Sequence, residues 1–285
     1  MALYKIVSEV KLEAPVLVAA LEGWVDAGGV ATACASHMTE GAETFAVFDA
    51  DVLFDYRARR PILDIVDGAM KEMTWPELAV RHVNVGGRDL LVLSGAEPDF
   101  RWKELAASLV DLVLSVGVVE AVSLGALPAA VPHTRPVPML ATASRPDLLT
   151  PEDRNPGGLL RVPAAAVNLL EMSCTQAGIP SVGFWAQIPH YVNGVYFPGM
   201  LALFDRLGRH LGVRFPVDTI TQRAAEQRVE LDALVAQRPE AKEYVERLEM
   251  LNSEQRIPTG DEIAAEIERF LGEARGDDEG PFKTE

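Results

Sequence analysis

Cysteine is scarce in this chain: Cys34 and Cys174 are the only two among 285 residues, each inside an apolar or small-residue helical pattern. That excludes a disulfide framework and predicts reduced, packed thiols. Long apolar runs are missing too, since none reaches the roughly 18 residues needed to span a bilayer. The opening stretch MALYKIVSEVKLEAPVLVAAL lacks the charged start, long apolar run and small-residue cleavage site of a signal peptide, so residence in the cytoplasm is expected. Positive charge is short as well, with 26 Lys and Arg against 42 Asp and Glu and a formal net charge of −16. Nucleic acid and anionic membranes both need cations to displace counterions, so neither is an expected partner. Part of the acidity is local to Asp218 through Glu285, so its sign concerns solubility more than any cleft.

Familiar chemical motifs are absent. The chain has no dinucleotide fingerprint, no phosphate loop ending in Gly-Lys-Ser/Thr and no Gly-x-Ser-x-Gly elbow. Nor does it carry Cys/His or His-x-x-x-His spacing, so neither a metal site nor a cofactor is expected. It has no repeat of fixed period.

What is present is a globular pattern, 48% hydrophobic with mixed charge. Four short Val-, Leu- and Ile-rich runs, each ending in a Gly- or Pro-bearing loop, predict buried strands of a largely parallel sheet. They are Val16 to Leu21, Leu90 to Ser94, Val118 to Leu124 and Ser181 to Ala186. Helical patterns at Val30 to Glu40, Phe100 to Val116 and Pro163 to Ala177 lie between them, which argues for α/β architecture with helices on both faces. Residues Thr44 to Val85 read as an insertion that adds edge strands and a hairpin to the sheet. After Phe215-Pro216, charged residues surround thin apolar stripes at helical spacing, and Pro239 splits them into two helices. A third helix is expected after Thr259-Gly260-Asp261. The predicted organisation is a core domain at 1–216, a C-terminal helical appendage at 217–275 and a disordered tail at 276–285.

In open parallel sheets, ligands bind beyond the carboxyl ends of the strands, so the four following loops are the candidates. In the first, Glu22-Gly23-Trp24-Val25-Asp26-Ala27-Gly28-Gly29, the glycines of a helix start can face an anion; alternatively Asp26 caps the helix and the glycines serve close packing. In the second, Asp99 compensates a helix dipole, while Glu97 and Arg101 either pair with each other or face a ligand. The third, Gly125 to Pro138, holds four prolines in eleven residues and presents His133, Thr134 and Arg135 from an extended backbone. There a His can exchange a proton and an Arg can grip a carboxylate or phosphate, or both can satisfy neighbouring loops. The fourth adds His190 beside Tyr191, so two histidines can converge. A Ser94, His133 or His190, Asp26 triad is a further geometric option. His37, His82 and His210 read as packed or exposed.

The stretches Gly23 to Gly28, Gly95 to Trp102, Leu124 to Leu127 with Val131 to Pro138, and Gly178 to Pro180 through Trp185-Ala186 to Pro189-His190-Tyr191 occur in an order that resembles the bacterial, actinobacterial-type branch of the proteasome-assembly-chaperone-two family, over about residues 4 to 214. The resemblance implies a three-layer α/β/α sandwich similar to phosphorylase and peptidyl hydrolase folds, assembled as a homo-oligomer, with a trimer as the first expectation. It also implies that Asp26, Glu97, Arg101, His133, Arg135 and His190 lie near one another, and it transfers no catalytic residue. Eukaryotic and archaeal relatives help build the proteasome α-ring and dock through a C-terminal hydrophobic-Tyr-x tail, whereas this sequence closes on Lys283-Thr284-Glu285.

Two functional classes follow. The first is a protein-binding, assembly-chaperone-like protein whose partner is a proteasome subunit or another protein, with Gly23, Asp26, Gly28, Arg101 and Arg135 as binding residues. The second is a hydrolase- or phosphorylase-like enzyme acting on a small anionic ligand, with His133, His190 and Glu97 as catalytic candidates. A crevice plugged by Trp24, Trp102 and Trp185 favours the first, and a deep polar pocket holding both histidines favours the second.

Overall fold

A computed structural model of the chain describes residues 2–151, 153 and 157–253. The third appendage helix and the tail lie outside the described residues. The four runs of β-branched and Leu residues form the centre of an eight-stranded sheet: β2 (Val16–Glu22), β7 (Arg88–Ala96), β8 (Glu120–Ala129) and β10 (Ser181–Pro189). All three neighbouring pairs in the order β7-β2-β8-β10 are parallel. Their buried, nearly continuous apolar sequence suits strands covered on both faces. Antiparallel strands extend the sheet on either side. β1 (Tyr4–Ile6), β3 (Thr44–Phe48) and β6 (Leu78–Val85) continue beyond β7, and β9 (Met139–Ala143) beyond β10.

Alternation along the strands sends side chains to two cores. Leu17, Leu21, Leu91 and Leu93 pack with α3 (Trp102–Ser115) and α4 (Ala166–Gln176). Val16, Val18, Leu90 and Val92 pack with α1 (Val30–Met38) and α5 (Phe197–Leu211). The result is a three-layer α/β/α sandwich. Both cysteines are buried and unpaired, Cys34 in the second core and Cys174 in the first.

The insertion departs from expectation in one respect. Its outer strands, β3 and β6, do join the sheet, but the hairpin between them does not. After the short α2 (Ala50–Leu53), β4 (Ile62–Val66) and β5 (Ala69–Thr74) pair only with each other, as a separate ribbon exposed on both faces. Its turn residues Asp67 and Gly68 have φ of 51° and 79°, the left-handed pair that tight hairpins require.

The two helices after Pro216 form as α6 (Asp218–Ala236) and α7 (Pro239–Ser253), with Pro239 opening the second rather than interrupting one long helix. They pack on the core. Ile220 is buried beside α5, and Gln227 links Val195 and Phe197, accepting from the Phe197 N–H at 3.0 Å and donating to the Val195 carbonyl at 2.8 Å. Among the described residues, no helix is long and apolar enough to cross a membrane.

Candidate functional site

The strand order places the switch point between β2 and β8, whose following chains run to opposite sides. In this protein main chain occupies that crevice. The chain leaving β2 turns back so that Asp26 bridges Ala126 in parallel register, and the Ala126 N–H donates to the Val25 carbonyl at 2.7 Å. Gly125 makes this closure possible: a Cβ there would lie 2.9 Å from the Val25 oxygen and 2.4 Å from the Trp185 ring. The Trp185 indole itself is 5% exposed and donates to Thr142 Oγ1 at 3.0 Å.

Asp26 serves α1. Its Oδ1 accepts from the Ala31 N–H at 2.7 Å, and its Oδ2 accepts from the Thr32 hydroxyl. Burial pushes its carboxyl up, against the pull of three donors, the Thr32 hydroxyl and the N–H groups of Ala31 and Thr32. Gly28 is a contact point, since a Cβ would stand 2.8 Å from the Gly194 carbonyl. Gly23 makes room for Glu97, whose carboxylate would meet a Cβ at 2.5 Å. Glu97 in turn accepts from the Trp24 N–H at 3.3 Å and from the Ala166 N–H at 2.6 Å, so it caps α4 from another loop. Arg101 does not pair with Glu97. It starts α3 with φ of 58° and grips Glu104 one turn on, at 2.7 Å, the i,i+3 neighbour on its own helix.

The two histidines do converge, under the appendage. His133 is 3% exposed. Its backbone N–H donates to Tyr191 Oη, which lies 2.7 Å from His133 Nδ1, and Nε2 faces Asp232 Oδ1 of α6 at 3.2 Å. One proton arrangement satisfies the whole chain: Tyr191 donates to Nδ1, and Nε2–H donates to Asp232. Burial, and then the Arg228 charge, hold the imidazole below its usual range against the opposing pull of Asp232 and Glu249. Arg228 also donates to the His133 carbonyl at 2.8 Å, and Thr134 bonds Glu249 of α7. His190 faces the Ala129 carbonyl through Nδ1 at 3.1 Å and Tyr244 Oη of α7 through Nε2 at 3.1 Å. The rings of His190 and His133 each meet Tyr191 edge to face, at 5.6 and 5.8 Å between centroids. Arg135 points to solvent at the rim.

The expected site thus resolves into two groups, Glu97 with the Trp24 N–H and α4 in one, His133 with Tyr191, His190 and the appendage in the other. Asp26 belongs to neither. Ser94 lies within β7, opposite Ala20 and Ala79, and the carboxylate and imidazoles of the possible triad are each engaged as described. None of the three tryptophans is what fills the crevice: Trp185 packs under Gly125, Trp102 donates to the Pro98 carbonyl at 2.6 Å, and Trp24 is 38% exposed beside an apolar cavity of about 120 Å³ that Leu127, Leu140, Val162, Pro163 and Trp185 also line. Among the described residues, no group of three or more His, Cys, Asp or Glu has the arrangement to hold a metal.

The residues that hold the second group closed, Arg228, Asp232, Tyr244 and Glu249, escaped the sequence reading. Their spacing is that of solvated helix faces, and only the fold turns those faces inward.

Fold and site together define a three-layer α/β/α protein whose strand-end crevice is filled by its own main chain and covered by its own helices. The chain belongs to the PAC2 family, whose sequence profile matches residues 20–235. Among solved structures, it is similar to a PAC2 family protein from Streptomyces avermitilis, at 36% identity with a TM-score of 0.71 over 81% of this chain and 99% of that one. It is also similar to the Mycobacterium tuberculosis proteasome-assembly chaperone homologue Rv2125, at 33% identity with a TM-score of 0.74 over 81% and 99%. The Mycobacterium tuberculosis protein of unknown function Rv2714 aligns at 32% identity with a TM-score of 0.82 over 88% and 89%. None of the curated proteins matches the chain.

Proposed function

We propose that this chain is a protein-binding assembly factor of the chaperone type, acting in the cytoplasm as a homo-oligomer with a proteasome subunit as its partner. One observation carries the proposal: the titratable candidates for catalysis at the strand ends, His133, His190 and Glu97, are each engaged in holding the fold, His133 at 3% exposure foremost. What remains for recognition is outer surface. Val229, Leu234 and Leu251 stay exposed on the appendage, where thin apolar stripes at helical spacing suit a protein partner. The 33% identity to a protein described as a proteasome-assembly chaperone homologue supports the choice of partner.

The test is reconstitution with the host's purified proteasome α and β subunits. The expected result is a complex with the α subunit on native gels and faster appearance of assembled particles, both weakened by Val229→Ser/Leu234→Ser, which leaves the inward-facing contacts of α6 intact. No complex and an unchanged assembly rate would overturn the proposal.

A further inference from the structure

The β4–β5 ribbon is the least explained part of the molecule. All eleven of its strand residues are exposed, including Ile62 at 66%, Ile65 at 59% and Met70 at 76%. A two-stranded ribbon with no packed face is marginal in water, and a patch of this kind on a monomer marks a contact surface. The ribbon is nevertheless firmly rooted. Trp75, just past its end, stacks edge to face on Tyr56 at 4.8 Å, and the Tyr56 hydroxyl donates to Asp51 at 2.7 Å.

Charge says what covers it. The register sets Asp64 directly opposite Glu72, a like-charge pair that destabilises the ribbon in isolation. Asp67 at the turn adds to it, and Lys71 is the ribbon's one cation. The complement lies on the same chain, at the ribbon's root, where Ile62 and Thr74 of the ribbon themselves help line a groove. This groove of about 560 Å³ runs between α1 and the ribbon's root, lined by Thr32, Ser36, Arg59, Arg60, Trp75 and Arg81, with Glu22 and Glu77 at its edges. Arg59 and Arg81 are paired with Glu22 and Glu77. Arg60 is exposed and makes no side-chain hydrogen bond or ion pair among the described residues, and the buried Nε of Arg59 has no acceptor.

We propose that the ribbon is an assembly arm that lies in the groove of a second copy of this chain, with Asp64 and Glu72 against that copy's Arg59 and Arg60 and the apolar residues of the arm covered by its rim. The contact is head to tail: the arm of each copy enters the groove of the next, so the assembly closes as a ring when the rotation allows. This rests on the homo-oligomer reading given above and names the surface that makes it.

The test compares full-length wild type with Asp64→Lys/Glu72→Lys and with Arg60→Glu by sedimentation across a concentration series, with circular dichroism and thermal unfolding confirming that each variant folds. Each charge reversal is expected to weaken self-association by roughly 100-fold, the scale of like-charge contact at an interface. Combining them in one chain restores much of it. Mixing Glu72→Cys chains with Arg60→Cys chains is expected to give a disulfide between chains, which no single chain can form because each carries one of the two new thiols. A monomeric wild type would defeat the oligomer reading and this one with it. An oligomer that survives both reversals and forms no crosslink would leave the oligomer reading standing and overturn the arm. Variants that self-associate normally but lose the α subunit would assign the ribbon to the partner, which also overturns the arm.

Discussion

Glu171 offers the sharpest quantitative test of the structure. It points from α4 onto the sheet, where the hydroxyls of Ser123 and Thr142 reach its carboxyl, and its Oε2 is buried with no hydrogen-bond partner. Burial pushes the carboxyl up to about 7, and the two hydroxyls only partly counter it. The folded value lies above the unfolded one, so the group adds stability that is present below about pH 4.5 and is lost as pH rises through about 7. A difference of this size corresponds to about 3 kcal/mol between the two limits. For a chain of this length that is roughly 6–10 °C in Tm. The assay is thermal unfolding of wild type and Glu171→Gln from pH 4 to 9. The variant keeps the volume and cannot ionise, so the difference between the two curves isolates this residue from His133, whose own effect has the opposite sign. Wild type should lose stability relative to the variant across that window. Parallel pH profiles would show that Glu171 is solvated and would refute its seating against the hydroxyls of Ser123 and Thr142.

Two further perturbations probe the clamps around the site. Arg206 and Asp153, 6% and 4% exposed at the side chain, share two bonds of 2.6 Å beneath Phe184; burial alone would raise the Asp153 carboxyl, but the Arg206 and Thr150 donors hold it below the usual range. Arg206→Met should cost about 3–5 kcal/mol in urea unfolding by stranding that charge, while Arg206→Met/Asp153→Leu should recover most of it. His133, held low by burial, resists protonation in the folded state while the unfolded chain takes up the proton, so stability falls as pH drops below about 6.5. Amide protection factors in Gln227 to Asp232, corrected for the intrinsic pH dependence of exchange, should therefore fall on acidification in wild type and change much less in His133→Gln.

Much of the fold was legible in the sequence because burial on both faces forces continuous apolar runs, and the four such runs became the four parallel strands. What escaped notice did so for physical reasons. α5 carries Met200, Leu203, Phe204, Leu207 and Leu211 on one buried face, yet Pro198, Gly199 and Gly208 read as breakers. Pro198 sits in the first turn, where its missing N–H costs nothing, and Gly199 lets α5 approach Ile188 and Val30, which a Cβ would meet at 3.2 Å. β1 and β9 are too short and too partly buried to stand out from the loops beside them. The ribbon had the pattern of sheet strands, but nothing in a hairpin's own sequence says whether it pairs onward. At the strand ends, the residues singled out in the sequence fall into two separate groups, and the sequence left their work open. The two histidines met because Tyr191 and the appendage brought them together, and the appendage's inward contacts carry no local signature.

The backbone bridge from Asp26 to Ala126 bears on how this scaffold can evolve. Point mutations reshape a pocket by trimming or enlarging side chains, and here the obstruction contains no side chain to trim. Opening the switch point requires a different path for the chain between Gly23 and Gly29, and that means an insertion or deletion together with the loss of the Asp26 cap on α1. Lineages that keep this loop length are thereby confined to change on their outer surfaces, where new partners are gained one contact at a time.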